Sequence, residues 1–182
     1  RLNFGNIMGH VTNVTNLSSL ASWTADQFDP TLTWKDIGWI RDRWQGKLIL
    51  KGIMDKDDAK LAVDAGADAI IVSNHGGRQL DGAPSTISVL SEISEEVKNK
   101  TEVHFDGGIR SGQDVLKALS LGAKCTYVGR PYVYGLGAKG QDGVELALDI
   151  IYKELDLSMA MCGETDVSRV GIHNLNSNPF KK

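Results

Sequence analysis

Several kinds of protein are excluded by what this sequence lacks. Of its 182 residues only two are cysteine, Cys125 and Cys162. One lies in an apolar strand-like run and the other beside a glycine, so neither a disulfide framework nor a metal-ligand set can be assembled from them. No metal site is expected, and a reducing, cytoplasmic setting suits this cysteine usage. No run of eighteen or more apolar residues occurs, so no hydrophobic membrane span is expected, and the opening Arg1-Leu2-Asn3-Phe4 has no signal-peptide pattern. An excess of one charge is missing as well: 20 Lys+Arg against 23 Asp+Glu leave a net charge of -3, which offers no electrostatic footprint for nucleic acid. Three Asn-X-Ser/Thr triplets, beginning at Asn13, Asn16 and Asn99, read as chance, because the pattern has physical meaning only in a secreted chain.

What is present is a globular, 41% hydrophobic sequence with a βα rhythm. From Lys47 onward, short β-branched runs at Leu48–Lys51, Ala69–Ser73, Val103–Asp106 and Thr126–Gly129 alternate with amphipathic stretches. Two of those stretches open near Asp55 and Ser111, each with a capping-type residue before an apolar-periodic segment, and a third opens near Pro84-Ser85. The segment from Asp58 to Val72 repeats in the segment from Asp114 to Val128 at a shift of about 56 residues, or two βα units. That period suits a (β/α)8 TIM barrel better than an open doubly wound sheet. A whole barrel needs roughly 250 residues, and only four strands are evident, so the expectation is the C-terminal half of a barrel, strands five to eight. Four strands with open edges call for the N-terminal half of the same barrel as a partner. Residues 1–30 are expected to end a long connecting loop, residues 31–170 to form the half-barrel, and residues 171–182 to form a C-terminal tail. Thr33-Trp34-Lys35-Asp36 marks a helix start, with Ile37, Ile40 and Trp44 on its apolar face.

In such a barrel the chemistry sits at the carboxyl ends of the strands. Here the strand ends carry Lys51, then Ser73-Asn74-His75 with Arg78 close behind, then Asp106-Gly107-Gly108-Ile109-Arg110, then Gly129-Arg130. Gly107, Gly108 and Gly129 let backbone N–H groups approach an anion, the helix N-termini that follow add positive potential, and Arg110 and Arg130 can clamp phosphate oxygens. One such loop could as well be a tight turn with a solvated arginine, but two in succession favour a phosphate site. His75 alone is more often structural than catalytic. With Arg78, whose planar fork binds carboxylates, it becomes a candidate base beside a carboxylate clamp. Lys51 reads equally as a surface lysine or as a cation in the barrel mouth, where it would need an acidic partner.

These residues resemble the FMN-dependent 2-hydroxy acid dehydrogenase and oxidase family, which includes glycolate oxidase, L-lactate dehydrogenase and mandelate dehydrogenase. Ser73-Asn74-His75-Gly76-Gly77-Arg78-Gln79-Leu80-Asp81 is similar to the family's active-site signature. Leu50-Lys51-Gly52, Asp106-Gly107-Gly108-Ile109-Arg110 and Gly129-Arg130-Pro131 match its other motifs in order, from about Phe28 to Val170. The resemblance implies FMN as cofactor, His75 as catalytic base, Arg78 (with His75) binding a small 2-hydroxy acid, and Lys51 near flavin N1 and O2. It places Ser73 close to the flavin and Asp106 at the ribityl end, and it gives the phosphate to Gly107, Gly108, Arg110, Gly129 and Arg130. A fixed cation at N1 stabilises the anionic reduced flavin. Phe28-Asp29-Pro30, Trp34-Lys35-Asp36 and Trp39-Ile40-Arg41-Asp42 look closest to respiratory L-lactate and mandelate dehydrogenases. That implies oxidation to the 2-oxo acid with electrons passed to a quinone or cytochrome, a homo-oligomer, and a cytoplasmic protein able to sit peripherally on the inner face of a bacterial membrane. The runner-up is an oxidase producing hydrogen peroxide. An FMN barrel isomerase is a distant third, because the Asn-His-Gly-Gly-Arg-Gln signature is foreign to it. The family's carboxylate partner for the catalytic His is not in this chain, so residues 1–182 in isolation are expected to be inactive.

Overall fold

In a computed structural model the description covers residues 5, 7, 11 and 14–176. Arg1 to Phe4, Asn13 and positions 177–182 of the expected tail lie outside the described residues. The chain divides into two compact units, residues 1–37 and 38–182. In the first, α1 (Leu17–Asp26) forms within the stretch expected to be connecting loop. Asn16 accepts from the Ser19 N–H at 2.9 Å and the Ser19 hydroxyl accepts from the Asn16 N–H at 3.1 Å, a reciprocal cap built from the same Asn/Ser composition that reads as loop. The helix expected after Thr33 is α2 (Trp34–Arg43), although it buries none of its residues.

The second unit carries the expected βα alternation: β1 (Ile49–Ile53), α3 (Lys56–Asp64), β2 (Ala69–Val72), α4 (Thr86–Glu96), β3 (Glu102–Asp106), α5 (Gly112–Ser120), β4 (Cys125–Tyr127), α6 (Arg130–Lys139) and α7 (Gln141–Met161). The strands form one parallel sheet in the order β1-β2-β3-β4. Asp55 and Ser111 cap α3 and α5 with their side chains, as expected, and α4 opens after Ser85, whose side chain makes no cap bond.

Strand alternation sorts the sheet into two faces. Ile70 and Val72 pair in register with Val103 and Phe105 and are buried, as are Ala59, Ala62, Leu90, Ile93 and Leu116 of the helices. Each of the large side chains contributes about 1.5–3 kcal/mol by leaving water. The opposite, inner face carries Lys51, His104, Asp106, Cys125 and Tyr127, a polar set for a barrel interior.

Lys51, expected to end its strand, lies in the middle of β1. The strand runs on to Ile53 through a register shift at Gly52, whose φ is +100°. β4 stops at Tyr127, and Gly129 is the N-cap of α6. Helices α6 and α7 are not among the elements expected from the sequence, in which Gly135, Gly137 and Gly140 interrupt the segment after Pro131. Two of the nearby glycines instead let the helices touch: a Cβ on Gly135 would collide with the Gly143 carbonyl, and one on Gly143 with the Gly135 carbonyl.

Candidate active site

The loop after β2 is held in an unusual conformation. Asn74-His75-Gly76-Gly77 contains three successive left-handed residues, with φ of +54° at His75, +67° at Gly76 and +71° at Gly77. Glycine takes that region freely, but a histidine there is strained by about 1–2 kcal/mol. The surroundings hold it in place. The His75 N–H donates to Ser73 Oγ at 3.0 Å, Asn74 Oδ1 accepts from the Gly76 N–H at 3.0 Å, and Arg130 Nη2 reaches from the β4 loop to the Gly76 carbonyl at 2.9 Å. Strain so over-determined is a mark of functional loops.

Ser73, only 2% exposed, is the hub beneath this loop. Its hydroxyl donates to Asp106 Oδ2 at 2.6 Å and accepts from Lys51 Nζ at 2.9 Å and from the His75 N–H, so all of its hydrogen-bonding capacity is used. Lys51 also pairs directly with Asp106 at 2.9 Å, which supplies the acidic partner that a lysine on this face requires. Burial pushes the Asp106 carboxyl up. The hydrogen bonds from Ser73 and Lys51 and the Lys51 charge outweigh it and hold the group below the usual carboxylate range. The base, the cation and the carboxylate are thereby fixed through one hydroxyl. Among the described residues no carboxylate hydrogen-bonds the His75 ring.

The two glycine loops differ. Gly107 and Gly108 have φ of +103° and +96°. A Cβ on Gly107 would meet Asn74 Oδ1 and Thr86 Oγ1 at 3.1 Å, whereas one on Gly108 or Gly129 would enter open space. The sequence suggests positive potential from both of the helices that follow, and the structure corrects this. At α5 the Arg110 and Ser111 N–H groups donate to Asp114 Oδ2 at 3.0 and 3.1 Å, and the Gly112 N–H donates to Glu154 Oε2 at 2.9 Å, so that terminus is filled by the chain's own carboxylates. Of these two helices it is α6 that presents an N-terminus with no side-chain cap and no acid in its first turn.

His75, Arg78, Lys51, Arg110 and Arg130 line a single cleft of about 450 Å³, together with Gly107, Gly108 and Gly129. It has the size of a small-molecule site. The donor set suits a phosphate-bearing cofactor. There is an open glycine cradle at Gly108 and Gly129, a helix N-terminus with unfilled donors, and guanidinium groups at the rim. Among the described residues no group of three or more His, Cys, Asp or Glu side chains could hold a metal ion.

The sequence of residues 3–177 matches the family model described as FMN-dependent dehydrogenase. This chain belongs to the FMN-dependent dehydrogenase family. It is 48% identical over 166 residues to an L-lactate dehydrogenase of Caulobacter sp. (strain K31), covering 91% of this chain and 44% of that one. It is 46% identical over 171 residues to an L-lactate dehydrogenase of Vibrio cholerae, covering 94% and 45%. A solved mandelate oxidase with (S)-4-hydroxymandelic acid superposes with a TM-score of 0.80 at 47% identity, covering 85% of this chain and 43% of that one. The chain therefore spans less than half the length of the curated relatives it matches. Its parallel βα units are part of the TIM barrel of this FMN-dependent dehydrogenase family, as expected from the repeat and the strand ends.

Every site residue singled out in the sequence, with the exception of buried Ser73, lines the cleft, and Ser73 bonds to three that do. Sequence reasoning missed Tyr127, which also lines the cleft, and His104 and Glu102 behind it. The available signal was the strand period: Glu102, His104 and Asp106 are spaced by two and share the inner face.

Proposed function

We propose that the intact protein oxidises a small L-2-hydroxy acid to its 2-oxo acid with FMN as two-electron acceptor, as a dehydrogenase that hands the electrons on to a quinone or cytochrome. The observation that carries this reading is His75, a potential base on a strained left-handed backbone, sharing one cleft with the Arg78 clamp and with Lys51. Arg78 binds the substrate carboxylate through paired N–H donors and so fixes which C–H and O–H face the base. His75 accepts the proton released from the substrate. Lys51, held by Ser73 and Asp106, presents a fixed positive charge that needs no reorganisation as negative charge develops beside it. Gly107, Gly108, Gly129, Arg110 and Arg130 would hold the FMN phosphate, and FMN when bound supplies the electron sink.

β1 and β4 each have one strand neighbour among the described residues. The reading assigns their open edges to the rest of the barrel, and it places the protein in the cytoplasm or docked on a membrane's inner face, as a homo-oligomer. The described residues include no helix long and apolar enough to cross a membrane. The test is anaerobic mixing of the purified protein with glycolate, L-lactate and mandelate, followed by admission of oxygen. Bleaching of the flavin's visible absorbance by one of these acids, with slow recovery in oxygen, supports the dehydrogenase. Fast recovery with formation of hydrogen peroxide makes it an oxidase, the activity named for its solved mandelate oxidase relatives. Absence of flavin, or no bleaching with any of them, would refute the proposal.

A further inference from the structure

The inner face of β3 and β4 carries a second polar chain that the proposed reaction does not use. Glu102 Oε2 lies 3.2 Å from His104 Nε2, and His104 Nδ1 lies 3.1 Å from the Tyr127 hydroxyl. Tyr127 pairs across the strands with Asp106 and lines the cleft, so the chain runs from the amino end of the sheet to the cofactor floor. The His104 side chain is only 12% exposed between these partners, and its ring sits 5.9 Å from that of Tyr127.

The order of the groups dictates where the protons go. A carboxylate accepts only, so it fixes the proton of neutral His104 on Nε2 and leaves Nδ1 as an acceptor. The Tyr127 hydroxyl must then donate to Nδ1, which leaves its oxygen facing the cleft as an acceptor only. When His104 gains a second proton both ring nitrogens donate, and the Tyr127 proton is released toward the cleft. The remaining groups on this face are Asp106 on the same strand, Cys125 on β4 and Lys51 on β1, while the inner positions of β2 are the apolar Ala69 and Ile71. Burial and the neighbouring Cys125 and Asp106 raise the Tyr127 phenol above its ordinary range, which keeps it protonated throughout.

We propose that Glu102 and His104 act through Tyr127 as positioning residues. In this arrangement Tyr127 accepts a hydrogen bond from an N–H or O–H group of the bound flavin when His104 is neutral, and it turns into a donor when His104 is protonated. This rests on the FMN reading above. The affinity for flavin therefore contains a step that belongs to His104 and reaches the ligand only through the Tyr127 oxygen.

The experiment measures dissociation constants of the intact apoprotein for FMN and riboflavin by flavin fluorescence between about pH 5.5 and 7.5, where imidazole titrates. Riboflavin lacks the phosphate and so removes that group's own titration. At the upper pH, Tyr127→Phe is expected to weaken binding about 3- to 10-fold, the worth of one hydrogen bond. The ratio of variant to wild type should close toward unity at the lower pH. Glu102→Gln, at an exposed position, should shrink the effect of Tyr127→Phe at the upper pH, because an amide can donate to Nε2 as well as accept from it and no longer fixes the His104 proton there. His104→Phe should make the ratio independent of pH. If Tyr127→Phe changes nothing, or its effect is the same at every pH, the relay is wrong while FMN binding stands. If the wild type binds neither flavin, the underlying reading fails as well.

Discussion

The two ends of the same four strands are built on opposite principles. At the amino ends Asp68 gathers Lys47 Nζ at 2.7 Å, Arg41 Nη1 at 3.1 Å and the Leu48 N–H at 2.9 Å, which takes its carboxyl down to about 2. Thr101 closes the same rim through a 2.9 Å bond to the Ala67 carbonyl. At the carboxyl ends the backbone at His75 is strained, and among the described residues the guanidinium groups of Arg78 and Arg110 have no hydrogen-bond or ion-pair partner. The hollow at the amino ends is the larger, about 660 Å³ against 450 Å³. Volume therefore does not locate the site. What sets the carboxyl ends apart is the run of three left-handed residues from His75 to Gly77 beside guanidinium groups that line one cleft with it.

This contrast can be broken by substitution at either end. With the base left in place, the largest effect is expected for Arg78→Met, which should lower kcat/KM about 10- to 150-fold, the worth of charged hydrogen bonds, while leaving the urea midpoint unchanged. A fall in stability would show that the guanidinium has a structural partner. Next comes Gly107→Ala, expected to cost about 1–3 kcal/mol in urea unfolding from its φ and its contacts with Asn74 and Thr86. Gly108→Ala should cost less, having the strain alone, and equal costs would remove the role given to those contacts. Ser73→Ala strands the His75 N–H and one arm of Lys51, for about 1–2 kcal/mol by the same measurement.

Smallest is Asp68→Asn. The folded carboxyl is depressed from 3.8 to about 2, so its stabilisation is fully present above about pH 4 and is lost as pH falls toward 2. The variant should melt lower than wild type at neutral pH, with the difference vanishing by about pH 2 in thermal scans. A difference that persists there would mean that Asp68 acts by packing rather than by charge.

Local chemistry decided how much of this could be read in advance. The caps at Asp55 and Ser111 and the β-branched runs announce themselves, because each depends on neighbours in sequence. The loop motifs at Ser73 to Arg78 and Asp106 to Arg110 did so for the same reason. What escaped depends on contacts between distant segments. Helices α6 and α7 need Gly135 against Gly143, and the filled terminus of α5 needs Glu154 from forty-two residues away. The Ser73 hub joins three strands, and no spacing rule reveals that one hydroxyl ties Lys51 and Asp106 to the backbone of His75.

The most direct test of the central claim is anaerobic reduction of the bound flavin by the preferred 2-hydroxy acid in wild type and His75→Gln, followed by stopped-flow absorbance. Loss of the base should slow reduction by about 10²- to 10⁴-fold while the flavin stays bound, since His75 is not among the groups that hold the phosphate. Reduction at the wild-type rate in His75→Gln would contradict the account.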